Sequence, residues 1–356
     1  MYRSLQAGRA FAAVGVMLFH LGGAIAAAKY FNLPAFAVPF SFGDSGVEFF
    51  FVLSGFIILT AHRSDISRPS RIGPYLGRRL VRVYPTYWIL FLATCLLASF
   101  SAALRGVLPH DASVFLKSLL LVPQDKAVVG GTGAPVLIVA WTLQYEMLFY
   151  AFFVLVLLNR FAAATVGAAW VALWLWERGS HSHPFPSSFL FADYVALFGF
   201  GMAVSAAVGA RWARRLNPMA VLLLGLGLFG WVAVDKVLMI HNLAAVRTLL
   251  YGAASALIIF GLVGTESRGR IIGGHRSLQV LGDSSYALYL IHFPLISLLC
   301  KLAKAARLDA LGVPGALAAF AGIAVACLAV SVCFHLWIEK PLIASARAAM
   351  ARRADS

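Results

Sequence analysis

The sequence predicts an all-α fold, a polytopic transmembrane helical bundle of about ten membrane-spanning helices. Three observations lead there. Hydrophobic residues make up 61% of the 356 residues and charged residues only 12%, whereas a soluble domain carries roughly 25% charged residues. Mean hydropathy is +0.86. Apolar runs of about 16 to 24 residues recur between polar breaks, close to the roughly 20 that a helix needs to cross hydrocarbon. Lysine and arginine gather in alternate connections, as the positive-inside rule requires of a multi-pass chain. This composition excludes a disordered, collagenous or disulfide-scaffold protein.

In chain order the spans fall near 10–28, 46–61, 84–104, 135–158, 161–176, 189–208, 218–234, 245–264, 284–304 and 313–336. The first follows Arg3 and Arg9 and ends on Ala26-Ala27-Ala28, the outline of a secretory leader. His20 interrupts its apolar run and cleavage would still leave nine spans, so it reads as a permanent helix. The spans 46–61 and 161–176 are short enough for partial insertion. The 62–83 connection is the most charged and holds Pro69, Gly73, Pro74 and Gly77. The 105–134 connection is long and ends in Gly130-Gly131-Thr132-Gly133, and 177–188 forms another outer loop with His181 and His183.

Arg3, Arg9, Arg63, Arg68, Arg71, Arg78, Arg79, Arg82, Arg160, Arg211, Arg268 and Arg347 all fall on one side. That side is cytoplasmic, and ten spans return both termini to it. The net charge of +15 thus reflects topology and anionic headgroups, with membrane lipid as the partner and nucleic acid excluded. Cys95, Cys300, Cys327 and Cys333 sit in apolar runs without metal or redox spacing and read as packing residues. His181-Ser-His183 is too sparse for a metal site, so no metal is expected. The organisation is one integral-membrane domain, 1–345, followed by a basic cytoplasmic tail, 346–356.

An ionisable group at mid-bilayer costs at least about 2.5 kcal/mol, so it marks function or a paired interior role. Four stand out. His20 lies eleven residues after Arg9; at 1.5 Å per residue that is about 16 Å, or three turns, so both share one helix face. It serves either as a functional imidazole or as a hydrogen-bonded packing group. Glu146 follows Trp141 and Tyr145, and Thr142, Glu146 and Tyr150 form one polar stripe. Its carboxyl requires His20, an arginine or a ligand as partner. Glu48 stands four residues after Asp44, ahead of Phe49-Phe50-Phe51 and the small pair Ser54-Gly55, where another helix can approach closely. Ser285, Tyr289 and His292 share a face, with Tyr286 beside them, and Pro294 should kink that helix and free a carbonyl. Arg78, Arg79 and Arg82 stand before the third span, where Arg79 and Arg82 either clamp phosphates or simply anchor the inner leaflet.

Together these residues resemble the acyltransferase 3 family of membrane-bound acyltransferases. Arg9 and His20 match its R-x10-H signature, and Arg79-Leu-Val-Arg82 its RxxR element. Gly46 to Ile57 matches the GV(D/E)xFFxLSGFxI run. Trp141 to Glu146 matches WSLxxE, with Thr142 in place of serine. Ser285 to His292 and Glu339-Lys-Pro341 fit the last two spans, so the likeness runs from Arg9 to Pro341.

The resemblance implies an exopolysaccharide acetyltransferase-like short form in the cell's inner membrane. Such an enzyme moves an acyl group, acetyl in the first instance, from acyl-coenzyme A to a hydroxyl of a polysaccharide or lipid-linked oligosaccharide. Acyl-coenzyme A is then a co-substrate and no resident cofactor is implied. His20 would be general base or transient acyl carrier, with Glu146 or Glu48 orienting its ring. Arg79 and Arg82, with Arg78, would serve the coenzyme A phosphates. Arg9, Trp141, Tyr145, Ser285, Tyr286 and His292 complete the expected substrate-binding set. A lipid-linked glycan flippase or exporter is the alternative, but it has no need of Arg9 and His20 on one face.

Overall fold

The structure is a computed structural model and describes residues 2–100, 108–109, 111–179 and 184–355. Every regular element among them is helical. In chain order the α-helices are α1 (Arg3–Ala26), α2 (Gly46–His62), α3 (Ile72–Phe100), α4 (Ala112–Leu119) and α5 (Lys126–Val129). They continue with α6 (Trp141–Leu158), α7 (Arg160–Glu177), α8 (Ser187–Leu190), α9 (Asp193–Val208) and α10 (Pro218–Leu238). The last are α11 (Arg247–Glu266), α12 (Arg276–Asp283), α13 (Ser285–Ala305), α14 (Val313–Phe334) and α15 (Lys340–Asp355). His181 and His183 lie outside the described residues.

Nine helical segments among the described residues are long and apolar enough to cross a membrane, and the chain is a multi-pass membrane protein. The expected span at 161–176 forms α7, which has the length, 18 residues, but is not one of the nine. Trp170, Trp174 and Trp176 and the terminal charges Arg160 and Glu177 dilute its apolar character. Two boundaries differ from the sequence reading. Helix α3 begins at Ile72, so Arg78, Arg79 and Arg82 lie within it rather than at its mouth. After α14 a π-helical turn, His335–Glu339, leads into α15, so the residues read as a basic tail are largely the end of a helix.

Local chemistry explains the starts. Asn159 accepts from the backbone N–H groups of Phe161 and Ala162 and caps α7. Asn217 caps α10 likewise, with Pro218 at the first helical position where a missing N–H costs nothing. Asp111 and Asp125 cap α4 and α5. Pro294 lies inside α13; lacking an N–H, it leaves the Leu290 carbonyl without its i+4 donor.

The chain divides into two compact units, Met1–Phe56 with Gly199–Ile338, and Ile57–Phe198 with Glu339–Ser356. In the first, α1 is central. Ala13, Met17, Leu21 and Ile25 pack with Leu288, Ile296 and Cys300 of α13 and with Ala319, Ile323 and Cys327 of α14. The opposite side of α1 takes the turn 41–45 and the start of α2. A Cβ on Gly46 would collide with the Ala12 carbonyl oxygen, and one on Gly43 with that of Gly15. Only glycine lets these backbones meet, and the close approach fixes where Asp44 and Glu48 stand.

In the second unit α3 is the organiser. Tyr75 hydroxyl donates to the Tyr150 carbonyl of α6 at 3.4 Å. Tyr87, Trp88 and Tyr84 donate to the carbonyls of Ser118, Leu119 and Leu120 at 2.6, 3.0 and 2.8 Å. The Leu119 and Leu120 carbonyls are orphan acceptors at the C-terminus of α4, and that of Ser118 also takes the Leu121 N–H. Gln144 of α6 donates to the Gly133 carbonyl at 3.1 Å, tying down the glycine-rich stretch in which Gly130, Gly131 and Gly133 all have positive φ.

Candidate functional site

The first unit brings His20 of α1 to His292 of α13. His20 Nδ1 lies 3.0 Å from the Val16 carbonyl oxygen and 3.1 Å from His292 Nε2. His292 Nδ1 lies 2.9 Å from the Leu288 carbonyl oxygen. A carbonyl only accepts, so both rings carry their hydrogen on Nδ1. His20 Nδ1–H is therefore shared between its own helix and the His292 Nε2 lone pair, and His20 Nε2 carries a lone pair of its own. Phe19 and Phe293 meet the His20 ring edge-on at 5.0 and 5.3 Å. His292 is fully buried. Within this unit a second imidazole stands against the His20 ring, and Glu48 makes no hydrogen bond to that ring among the described residues. Arg9 is buried on the same helix and donates to Gln6 Oε1 at 2.8 Å.

Glu48 is buried near the start of α2, within electrostatic reach of Asp44 and Lys236. Asp44 pairs with Lys236 of α10 at 2.5 Å. Asp235 is almost wholly buried and accepts from His241. Sequence reasoning passed over Asp235, Lys236 and Arg247 because they fall at the ends of apolar runs, where charge is ordinary. The available signal was Asp235-Lys236, two opposite charges at the close of a span with Arg247 opening the next. Ser285 is buried and Tyr286 partly so at the start of α13, and the Ser285 hydroxyl has no hydrogen-bond partner among the described residues.

The second unit holds a basic pocket of about 330 Å³. Arg78, Arg79 and Arg82 of α3 line it with Arg71, Arg347 of α15 and His62. Asp65 is already committed, bonded to His62 Nδ1 at 2.9 Å and accepting from Arg71 Nε at 3.1 Å. Arg79 has a buried Nε with no hydrogen-bond partner among the described residues, while its guanidinium sits 5.9 Å over the Tyr75 ring. An excess of guanidinium groups around one concavity suits a polyanion such as a nucleotide phosphate. Arg71 and Arg347 were unforeseen as lining residues, since positive-inside anchoring accounts for any arginine near a membrane surface.

Glu146 accepts from the Tyr150 hydroxyl at 2.5 Å, along the predicted stripe. Arg79 and Glu146 both lie within electrostatic reach of Tyr75 and Tyr150. Tyr145 stacks on Phe189 at 4.2 Å, and Trp141 meets Tyr194 at 4.9 Å, forming an aromatic wall beside Glu146. Among the described residues no three histidine, cysteine, aspartate or glutamate side chains converge in a way that could hold a metal.

Residues 2–336 match the family described as Acyltransferase domain (Acyl_transf_3). The chain is also similar to Exopolysaccharide production protein ExoZ of Rhizobium meliloti (strain 1021), 30% identical over 324 residues, which cover 87% of this chain and 92% of that protein. No solved structure matches it.

Proposed function

The chain belongs to the acyltransferase domain family, and from that membership we propose the reaction and its residues. This acyltransferase moves an acyl group, acetyl in the first instance, from cytosolic acyl-coenzyme A to a hydroxyl of an extracytoplasmic or lipid-linked glycan. The name of the similar exopolysaccharide production protein supports exopolysaccharide as the acceptor class. The clustering of lysine and arginine supports an inner-membrane orientation with cytoplasmic termini, α7 counting as the tenth crossing.

One observation carries the chemical assignment: His20 presents an Nε2 lone pair while its Nδ1–H is held by Val16 and His292. In the direct route, Nε2 takes the proton of the acceptor hydroxyl as its oxygen attacks the thioester carbonyl. The C–S bond then breaks, and the departing thiolate takes the proton from the imidazolium. In the covalent route Nε2 itself attacks the thioester carbonyl and the C–S bond breaks, releasing coenzyme A thiolate. The acyl-imidazolium then passes its acyl group to the hydroxyl oxygen, the hydroxyl proton goes to the thiolate, and Nε2 regains its lone pair. In both, His292 steadies the cationic or acylated ring through Nδ1–H, the role a triad carboxylate plays elsewhere. Arg79 and Arg82, helped by Arg78, hold the nucleotide phosphates, which the Arg79 Nε, buried without a hydrogen-bond partner among the described residues, supports. Arg9 and Glu48 line the approach in the first unit, while Glu146, Trp141 and Tyr145 form substrate contacts in the second.

The test uses proteoliposomes, radiolabelled acetyl-coenzyme A and de-O-acylated exopolysaccharide from the parent strain. His20→Ala should lower label transfer by about 10²- to 10⁴-fold, the span of general-base catalysis. Arg82→Ala should raise KM for acetyl-coenzyme A and leave KM for the glycan unchanged. Undiminished transfer by His20→Ala overturns the assignment. Glycan translocation without label incorporation overturns the reaction itself in favour of an exporter.

A further inference from the structure

Four buried polar atoms of the first unit have no hydrogen-bond partner among the described residues: Asp44 Oδ1, Asp235 Oδ2, Arg247 Nε and Tyr251 Oη. They come from three elements, the turn 41–45, the end of α10 and the start of α11, yet they form one neighbourhood. Tyr251 lies within electrostatic reach of Asp44, Glu48, Asp235 and Arg247. Asp235 and Tyr251 are each only 1% exposed. More than nine in ten buried polar groups in folded proteins are satisfied, and an orphan costs about 1–3 kcal/mol. Four orphans gathered in one place describe hydrogen-bonding capacity kept for a ligand.

Their chemistry selects the ligand. Two carboxylate oxygens accept, Nε–H donates, and the phenolic hydroxyl does both. Adjacent hydroxyl groups, each able to donate and accept at once, complement that set. Asp44, Glu48 and Asp235 stand against Lys236 and Arg247, so neither sign of charge dominates, in contrast to the arginine pocket of the second unit. A neutral polyol fits here better than a phosphate. Phe229 lies 5.2 Å from the Tyr251 ring and Phe42 6.3 Å from Phe229, an apolar flank for the C–H face of a sugar. The neighbourhood also adjoins His20. Asp44 is within electrostatic reach of that imidazole, and Lys236 Nζ sits 5.7 Å over Phe19, whose ring touches His20 at 5.0 Å.

We propose that Asp44, Asp235, Arg247 and Tyr251 form the acceptor subsite, gripping the hydroxyls of a neutral sugar residue beside the hydroxyl that is acylated. This rests on the acyl-transfer reading above. Tyr251→Phe is the sharpest variant, because the hydroxyl it removes has no hydrogen-bond partner among the described residues. The melting temperature should stay unchanged or rise. In the proteoliposome assay KM for de-O-acylated exopolysaccharide should rise about tenfold, while KM for acetyl-coenzyme A stays within twofold. Asp44→Asn is the second variant, since it also disturbs the Lys236 pair and should act on the same constant. Equilibrium dialysis of labelled, de-O-acylated exopolysaccharide fragments against the detergent-solubilised protein reads binding without chemistry. Active wild type with an unaltered acceptor KM in both variants overturns the subsite and leaves the acyl-transfer reading standing. A marked fall in the Tyr251→Phe melting temperature also overturns it, by making the hydroxyl a structural group. Inactive wild type that still binds the fragments, and loses them in Tyr251→Phe, keeps the subsite and overturns acyl transfer.

Discussion

Replacing His292 tests whether the second imidazole steers the first. Its Nε2 accepts from His20 Nδ1–H at 3.1 Å, and that bond strengthens when His20 gains a proton or an acyl group on Nε2. A hydrogen bond to a charged partner is worth about 1.5–3 kcal/mol net. At 1.36 kcal/mol per tenfold in rate, losing it only in the transition state lowers kcat by roughly 10- to 150-fold. His292→Leu fills the site without an acceptor and should show that loss with KM for both substrates little changed. His292→Gln can place its amide oxygen near the former Nε2 and should recover a large part of it. Steady-state kinetics in proteoliposomes separate the constants, and a thermal shift assay checks that both variants fold. Equal kcat for His292→Leu and wild type refutes the steering role. Equally impaired Leu and Gln variants of matched stability refute the hydrogen bond as its basis.

Tyr150→Phe removes the hydroxyl that donates to Glu146 at 2.5 Å; it should cost about 1–3 kcal/mol of stability, read as a lower melting temperature, and an unchanged melting curve would discount that bond. Gly46→Val drives a side chain into the Ala12 carbonyl and forces the start of α2 off α1. Overpacking of this kind costs about 1–3 kcal/mol and here also displaces Glu48, so both stability and acyl transfer should fall; full activity would show that the close approach is dispensable.

The parts of this protein that could be read in one dimension are those that violate the rule for their surroundings. His20 and His292 interrupt apolar runs, and Arg79 with Arg82 makes a spaced pair before one, so each is visible without a fold. Their partners were hidden by distance along the chain. His20 and His292 are separated by 272 residues, and only tertiary packing brings the two imidazoles together. Asp235, Lys236 and Arg247 obey the ordinary rule that charge collects at span ends, so nothing marks them until α10 and α11 set them against Asp44. Arg347 was concealed differently. A basic stretch after the last span reads as a headgroup anchor, and its place in the arginine pocket follows from α15 being a continuous helix. Nine helical segments among the described residues are long and apolar enough to cross, and tryptophan and terminal charge make α7 a marginal case by hydropathy.

The three ring donors that α3 extends to the end of α4 settle what kind of element residues 111–134 form. A lid must shed its contacts at small cost, whereas this segment is sewn down at consecutive carbonyls by Tyr84, Tyr87 and Trp88 and again by Gln144 at Gly133. It behaves as a fixed part of the second unit, and its amides should exchange with solvent deuterium slowly. This stretch is not available to swing aside, so whatever conformational gating the turnover needs falls to other parts of the molecule.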